Sequence, residues 1–406
     1  MKSILLVDHD PKVLESMRLA LCTEAGWNVH VAVGGKAGLA ALATTPFDAV
    51  VCSMVMPDVD GTAVLEDARR RQPGTIRLIL SEPRDIVASA RALHVAHQFL
   101  ARPCPERVLV QALRSSFAVT DQMAGEDLLQ VVCGVTALPT PPRVFQVLNA
   151  ALADPSVELD IVVQTVRAEV GLSVKVMQLV NSSCFGAGRP LADLREAITY
   201  LGLRMLKQVV LGAEVFGGVE TARLAPDFDF AEEQEHSVTI ARIAAEIVAP
   251  DPVTGHAAFT AALLHDIGEL VLAGHMPATY RRTKDVLRGR RCGTPMTPGD
   301  VELIDLHARV GGYLAGIWGL PEPIVEAIWN HHGPGRLGRP ELHLAGIVHV
   351  ADCLHHFLRT GGEEERLFVL DRMLDHEWLE STGCADRLEE WRQRTLALGE
   401  ELVAAR

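Results

Sequence analysis

Residues 47–61 read Phe-Asp-Ala-Val-Val-Cys-Ser-Met-Val-Met-Pro-Asp-Val-Asp-Gly, and this stretch decides how the first third of the chain folds. A short apolar run, Phe47 to Met54, is followed by a turn built from Met56, Pro57, Asp60 and Gly61. That is the pattern of a buried strand leading into a loop. Upstream, Ile4 to Val7 (ILLV) is a second such run, ending in Asp8, His9 and Asp10. Turn signals at Gly34 and Gly35, Pro46, Pro73 and Gly74, and Pro83 punctuate an alternation of strand and helix patterns through about residue 120. Alternation of this kind predicts an α/β fold with a doubly wound, parallel sheet whose site lies at the carboxyl ends of the strands.

On these residues the first 120 positions resemble the receiver domain of response regulators, which has a flavodoxin-like fold; the resemblance implies a five-stranded sheet. In that family two acids after the first strand and one after the third hold Mg²⁺, while a hydroxyl and a Lys after the next two strands contact the phosphoryl group. Carried over by position, Asp8 keeps the first acid, His9 replaces the second, Ser53 stands at the phosphoacceptor, Ser81 keeps the hydroxyl, and Arg102 before Pro103 replaces the Lys. Mg²⁺, a hard cation that needs oxygen ligands, loses two carboxylates here and is not expected to bind. A serine alcohol forms no acyl phosphate, so the resemblance implies a degenerate pseudo-receiver that is silent in phosphorelay. Two alternatives stay open: phosphorylation of Ser53 by another kind of kinase, and weak metal binding rescued by Asp10.

The 406 residues are enough for two to three domains, each with its own core. Met1 to Val7 enters a strand pattern at once, and no apolar run reaches the ~20 residues of a spanning helix. A soluble, cytoplasmic protein is expected, with no membrane insertion. Eight cysteines (22, 52, 104, 133, 184, 292, 353 and 384) lack paired spacing, which predicts buried thiols in a reducing compartment. The formal charge is −14; residues 1–120 carry 13 basic against 12 acidic side chains, leaving 25 against 40 for the rest. That acidic balance argues against nucleic-acid binding, and no helix-turn-helix with a basic recognition helix is evident. Arg69 to Arg71 reads as a solvated helix face.

Past Thr120 the composition stays helical, which predicts a helical connector over 121–137 that allows a homodimer or serves as a spacer. From Leu138 onward the pattern is helical throughout, with expected helices over 159–168, 172–181, 193–216, 229–248, 257–272, 298–318, 321–332, 341–358 and 385–405. ThrProPro at 140–142 should open a further helix, with Phe145, Leu148 and Leu152 on one face.

The segments LPTPPRVFQVLNAAL (138–152), LSVKVMQLVNSSCFG (172–186), LREAITYLGLRMLKQVVLG (194–212), AALLHDIGELVL (261–272) and LPEPIVEAIWNHH (320–332) resemble the HDOD domain, an all-helical relative of the HD phosphohydrolases. On this reading the HDOD domain spans 138–360 and a helical extension 361–406. The resemblance implies metal ligands at His236, His265, Asp266 and Asp352, with His307, His331 and His332 at positions that supply extra ligands in the cyclic di-GMP phosphodiesterase branch. Imidazole plus carboxylate suits a divalent transition metal: Fe, Mn or Zn. Three departures count against hydrolysis. Glu269 stands where active relatives carry a Lys, Gly333-Pro334-Gly335 replaces the GYP signature, and no basic cluster is evident around the motif.

Each histidine also has the ordinary reading of a neutral core residue with one hydrogen-bond partner. His256, His275, His343, His349, His355, His356 and His376 match no motif position and read as surface or core. Asn181, Ser182 and Phe185 are expected to pack helices. The resulting expectation is a non-enzymatic signalling adaptor with protein partners; the alternative is a metal-dependent phosphohydrolase or cyclic di-nucleotide-binding regulator.

Overall fold

The computed structural model describes residues 1–81, 92, 95–121, 131–133, 135, 158–181, 189–203, 206, 225–249, 251–291 and 297–404. The expected helix from 140–142, most of the connector, the second half of 193–216, and Ser182 and Phe185 lie outside them.

Five strands, β1 (Ser3–Asp8), β2 (Asn28–Val33), β3 (Ala49–Ser53), β4 (Ile76–Ser81) and β5 (Gln98–Ala101), form one sheet in the order β2-β1-β3-β4-β5, every pair parallel. Crossover helices cover both faces, so β1, β3 and β4 are buried along almost their whole length and mostly apolar instead of alternating, with Arg77 a buried charge on β4. Leu5, Val7, Val50, Cys52 and Ile79 pack on one side, and Ile4, Leu6, Val51, Leu78 and Leu80 on the other. The helices of this half are α1 (Pro11–Ala25), α2 (Gly35–Thr44), α3 (Gly61–Arg71) and α4 (Glu106–Asp121). Asp10 caps α1 by accepting from the Lys12 amide at 2.8 Å, and Asp60 caps α3 through the Thr62 amide at 2.7 Å. The expected solvated face of α3 is present: Arg69 pairs with Glu66, and Arg70 and Arg71 pair with Asp67, all within the helix.

The rest is helical: α5 (Leu159–Arg167), α6 (Val170–Asn181), a segment over 194–203, α7 (Phe230–Ile247), α8 (Pro252–Leu264), α9 (Ile267–His275), α10 (Pro277–Arg291), α11 (Pro298–Ile317), α12 (Glu322–Asn330), α13 (Leu344–Arg359), α14 (Glu363–Met373), α15 (His376–Ser381) and α16 (Leu388–Ala404). One apolar core runs from Val132, Cys133 and Val135 through to Trp391 and Leu398, so the described end of the connector and the C-terminal extension are parts of the same packed body. The single helix expected over 257–272 is two helices. The chain turns at His265-Asp266, and Asp266 begins α9 with φ −102°, ψ 18° and no side-chain capping bond, which leaves its carboxylate for another use. Thr254–His275 is apolar and long enough to cross a membrane by composition, at mean hydropathy 1.3, but 78% of it is buried inside the fold. The described cysteines, 22, 52, 104, 133, 353 and 384, are all free thiols.

The two halves touch along β5 and α4. Gln98 donates to the Ile317 carbonyl at 2.9 Å, Gln178 donates to the His97 carbonyl at 2.6 Å, and Val119 lies against Gly316.

Candidate functional site

Two clusters need separate accounts. In the first half, Asp8, Ser53, Ser81 and Arg102 meet at the carboxyl ends of the strands, with Asp8, Ser53 and Ser81 each about 1% exposed. The Arg102 guanidinium ion-pairs with Asp8 Oδ2 and donates to Ser53 Oγ at 3.1 Å. Asp8 Oδ1 accepts from the Asp10 amide at 2.9 Å and lies 3.3 Å from His9 Nδ1. A covalently attached cation thus sits among the groups that would surround a bound one. The Asp10 side chain points to the α1 amide and is used there.

In the helical half, α7, α9, α10, α11 and α13, with His332 just past α12, line a cavity of about 420 Å³. Asp266 is its centre. Oδ2 lies 3.2 Å from His236 Nε2 and 3.1 Å from His265 Nε2, while Oδ1 lies 3.1 Å from His307 Nε2 and 3.5 Å from His331 Nε2. His265 and His331 each use Nδ1 on a carbonyl one turn back, Ala262 and Ile328, both at 2.7 Å. That fixes the proton on Nδ1 and turns the Nε2 lone pair inward. His332 Nε2 is 3.0 Å from His307 Nε2. Asp352 completes a group with His236 and His265, so all seven residues singled out in the sequence are brought together.

A close helix crossing sets this geometry. A Cβ on Gly268 would fall 1.9 Å from the His307 carbonyl oxygen, so only glycine lets α9 approach α11 closely enough to bring Asp266 to His307. Gly268→Ala is expected to cost roughly 1–3 kcal/mol in urea unfolding; a variant as stable as wild type would refute the tightness of this crossing.

The electrostatics follow from burial and proximity. Burial would raise Asp266, but His265 and His307 hold it well below the usual carboxylate range. Burial would lower His265, but the Asp266 charge overrides it and raises the ring to about 9, and His307 is raised by the same balance. His332 is pushed well down by burial and by the neighbouring rings of His331 and His307. Burial would also raise Asp352, but His356 keeps it well below its ordinary value.

The cavity holds more than the family positions. His355 and His356 line the cavity: His356 Nε2 lies 3.2 Å from Asp352 Oδ1, and the His355 ring centroid is 4.8 Å from that of His236. They follow Asp352 at i+3 and i+4, so α13 carries all three on one face. Basic residues are also present, because Lys284, Arg288 and Arg359 line the same cavity from α10 and α13. Seven carboxylates outnumber these three cations: Asp227, Asp229, Glu232, Glu233, Asp266, Glu269 and Asp352.

These residues fit a divalent transition metal. His265 Nε2, Asp266 Oδ1 and Asp352 Oδ1 are buried and face other members of the cluster: Asp266 Oδ2, the His307 and His331 Nε2 atoms, and His356 Nε2, respectively. Four overlapping sets of three donors, each within 4.8 Å, are His307-His331-His332, His236-His265-Asp352, His265-Asp266-His331 and Asp266-Glu269-His307. An ion there would act as a Lewis acid and acidify a bound water.

The fold is thus a doubly wound parallel-sheet domain joined to an all-helical body that gathers the His/Asp cluster. The receiver-domain family of response regulators matches residues 4–114 and the HDOD domain family matches 138–334. The chain therefore carries a response regulator receiver domain followed by an HDOD domain. An uncharacterized protein of Treponema pallidum is 27% identical over 48% of this chain and 37% of its own length. The transcriptional regulatory protein GlrR of Escherichia coli is 32% identical over 29% of this chain and 28% of its own. The chain thus spans well under half the length of either curated relative. Among solved structures, the MmoQ response regulator of Methylococcus capsulatus aligns at 21% identity and TM-score 0.43, over 61% of this chain and 98% of that one.

Proposed function

We propose that this regulator is a non-enzymatic, cytoplasmic protein-interaction adaptor whose receiver works without aspartyl phosphorylation and whose HDOD domain holds metal as a structural element. The observation that carries the reading is Arg102, whose guanidinium bridges Asp8 and Ser53 inside the acceptor pocket. A tethered cation there competes with Mg²⁺ for Asp8, and the Ser53 hydroxyl supplies no acyl-phosphate chemistry. Its partners are signalling proteins, with a second copy of the chain among the candidates, and the acidic balance disfavours nucleic acid. Incubation with acetyl phosphate and Mg²⁺ is expected to leave the intact mass unchanged; a hydroxylamine-labile phosphoryl adduct would overturn the reading.

The second reading, a metal-dependent phosphohydrolase or cyclic di-nucleotide-binding regulator, draws on the four donor sets around Asp266. Against turnover stands the acidic cavity, in which an anionic substrate meets more carboxylates than cations. Protein loaded with Mn²⁺ or Fe²⁺ is expected to release neither phosphate from nucleotides nor linear product from cyclic di-nucleotides. Metal-dependent turnover would favour this second reading.

A further inference from the structure

Lys284 enters the cavity from α10, and its Nζ lies 2.5 Å from Glu269 Oε2 and 2.6 Å from Glu233 Oε1. Glu269 is 3% exposed and stands one turn beyond Asp266 on α9. With Asp266 and His307 it offers three ligand atoms within 4.8 Å of one another. Asp266 Oδ1, one of the carboxylate oxygens at this corner, is buried and faces His307 Nε2 at 3.1 Å and His331 Nε2 at 3.5 Å. The corner is therefore built to hold positive charge.

One ammonium between two carboxyl groups has no positive charge to spare, so Lys284 is poorly suited to gripping an anion. It is well suited to neutralising Glu269. An ammonium and a divalent ion compete for the same carboxylate, and the ammonium is tethered.

We infer that Lys284 is a built-in cation that occupies the Glu269 carboxylate and keeps a divalent metal out of the Asp266-Glu269-His307 corner, so that it fixes how many ions the cavity takes. This inference rests on the reading that the His/Asp cluster holds metal. Removing the ammonium leaves Glu233 and Glu269 without their shared counter-ion, and a divalent ion is then the available replacement.

The test is the number of Mn²⁺ ions bound per chain, measured by elemental analysis after equilibrium dialysis of the full-length protein. Lys284→Met is expected to bind one more ion than wild type. The double variant Lys284→Met/Glu269→Gln, which removes the ligand as well, is expected to return to the wild-type number. A folded Lys284→Met with an unchanged count overturns the inference while leaving the parent reading in place. A wild-type protein that binds no ion at all overturns the parent reading, and the inference with it. Should Lys284→Met fail to fold in metal-free buffer, Mn²⁺ is expected to restore its thermal transition; failure to fold with Mn²⁺ present also counts against the inference.

Discussion

Arg77→Met is expected to lower the free energy of unfolding by roughly 3–5 kcal/mol and to weaken both halves of the molecule together. Arg77 sits on β4 and is 0% exposed, with no carboxylate within ion-pair distance among the described residues. Carbonyl oxygens carry its charge instead: Nε donates to Val95 at 2.7 Å, Nη1 to Thr75 at 2.9 Å and Nη2 to Cys133 at 2.7 Å. Burial lowers its pKa to about 10, which still leaves it charged near neutrality. His97 completes the cluster, accepting from the Arg77 amide through Nδ1 at 3.1 Å and lying 2.9 Å from the Cys133 carbonyl through Nε2.

Methionine fills similar volume but donates nothing, so the Val95, Thr75 and Cys133 carbonyls each lose a buried donor at once, the last keeping only its His97 contact among the described residues. Cys133 belongs to the helical core, and its thiol lies 3.4 Å from the Tyr313 hydroxyl on α11. The loss therefore falls on the contact between the halves as well as on the sheet. Urea unfolding followed by tryptophan fluorescence reads both, because Trp27 packs on Phe117 in the first half while Trp318 and Trp391 lie in the helical core. A loss under about 1 kcal/mol, the size of a single ordinary hydrogen bond, would refute the role assigned to Arg77.

Much of this molecule was legible in the sequence, and the misses have physical causes. β1, β3 and β4 are buried on both faces, and near-continuous apolar runs of that kind are the clearest strand signal a parallel sheet gives. The seven proposed ligands were legible as family positions, and the structure gathers them around Asp266. His355 and His356 were passed over because helical polar residues are common; their spacing from Asp352 was the available signal. Lys284 gave no such signal. It lies on a helix rich in basic residues, and only the turn between α9 and α10 brings it back to Glu269. Arg77 and Gln98 were equally hidden, since a polar residue in a strand reads as exposed until the covering surface is known. That surface comes from Cys133 and Ile317, 56 and 219 residues along the chain. Local pattern thus revealed elements and donors, while contacts between distant segments decided which polar groups are buried.

The largest effect on ligand binding is expected at Asp266, and it carries a pH signature with two opposite signs. In the metal-free protein Asp266 raises His265 from 6.5 to about 9. A group raised on folding stabilises fully below its unfolded value, and that contribution is lost as pH rises through the folded one. Metal-free stability from this pair is therefore full below pH 6.5 and lost by about pH 9. Metal binding runs the other way, because the ion needs the His265 Nε2 lone pair and must displace its proton. Affinity for Mn²⁺ should rise by about tenfold per pH unit for each proton displaced. His307, raised by the same carboxylate, makes the slope steeper where it too is protonated. The gap between metal-loaded and metal-free melting temperatures should consequently widen between about pH 7 and 9. Asp266→Asn removes the charge at the centre of four histidines, so affinity should fall by at least ~100-fold. The pH slope should flatten too, since Asp266 is the main charge that raises His265 against burial, with Asp352 a smaller one. Calorimetric titrations across that range, with melting curves for both proteins, measure each part. A pH-independent affinity, or an asparagine variant within tenfold of wild type, would show that Asp266 does not organise the site.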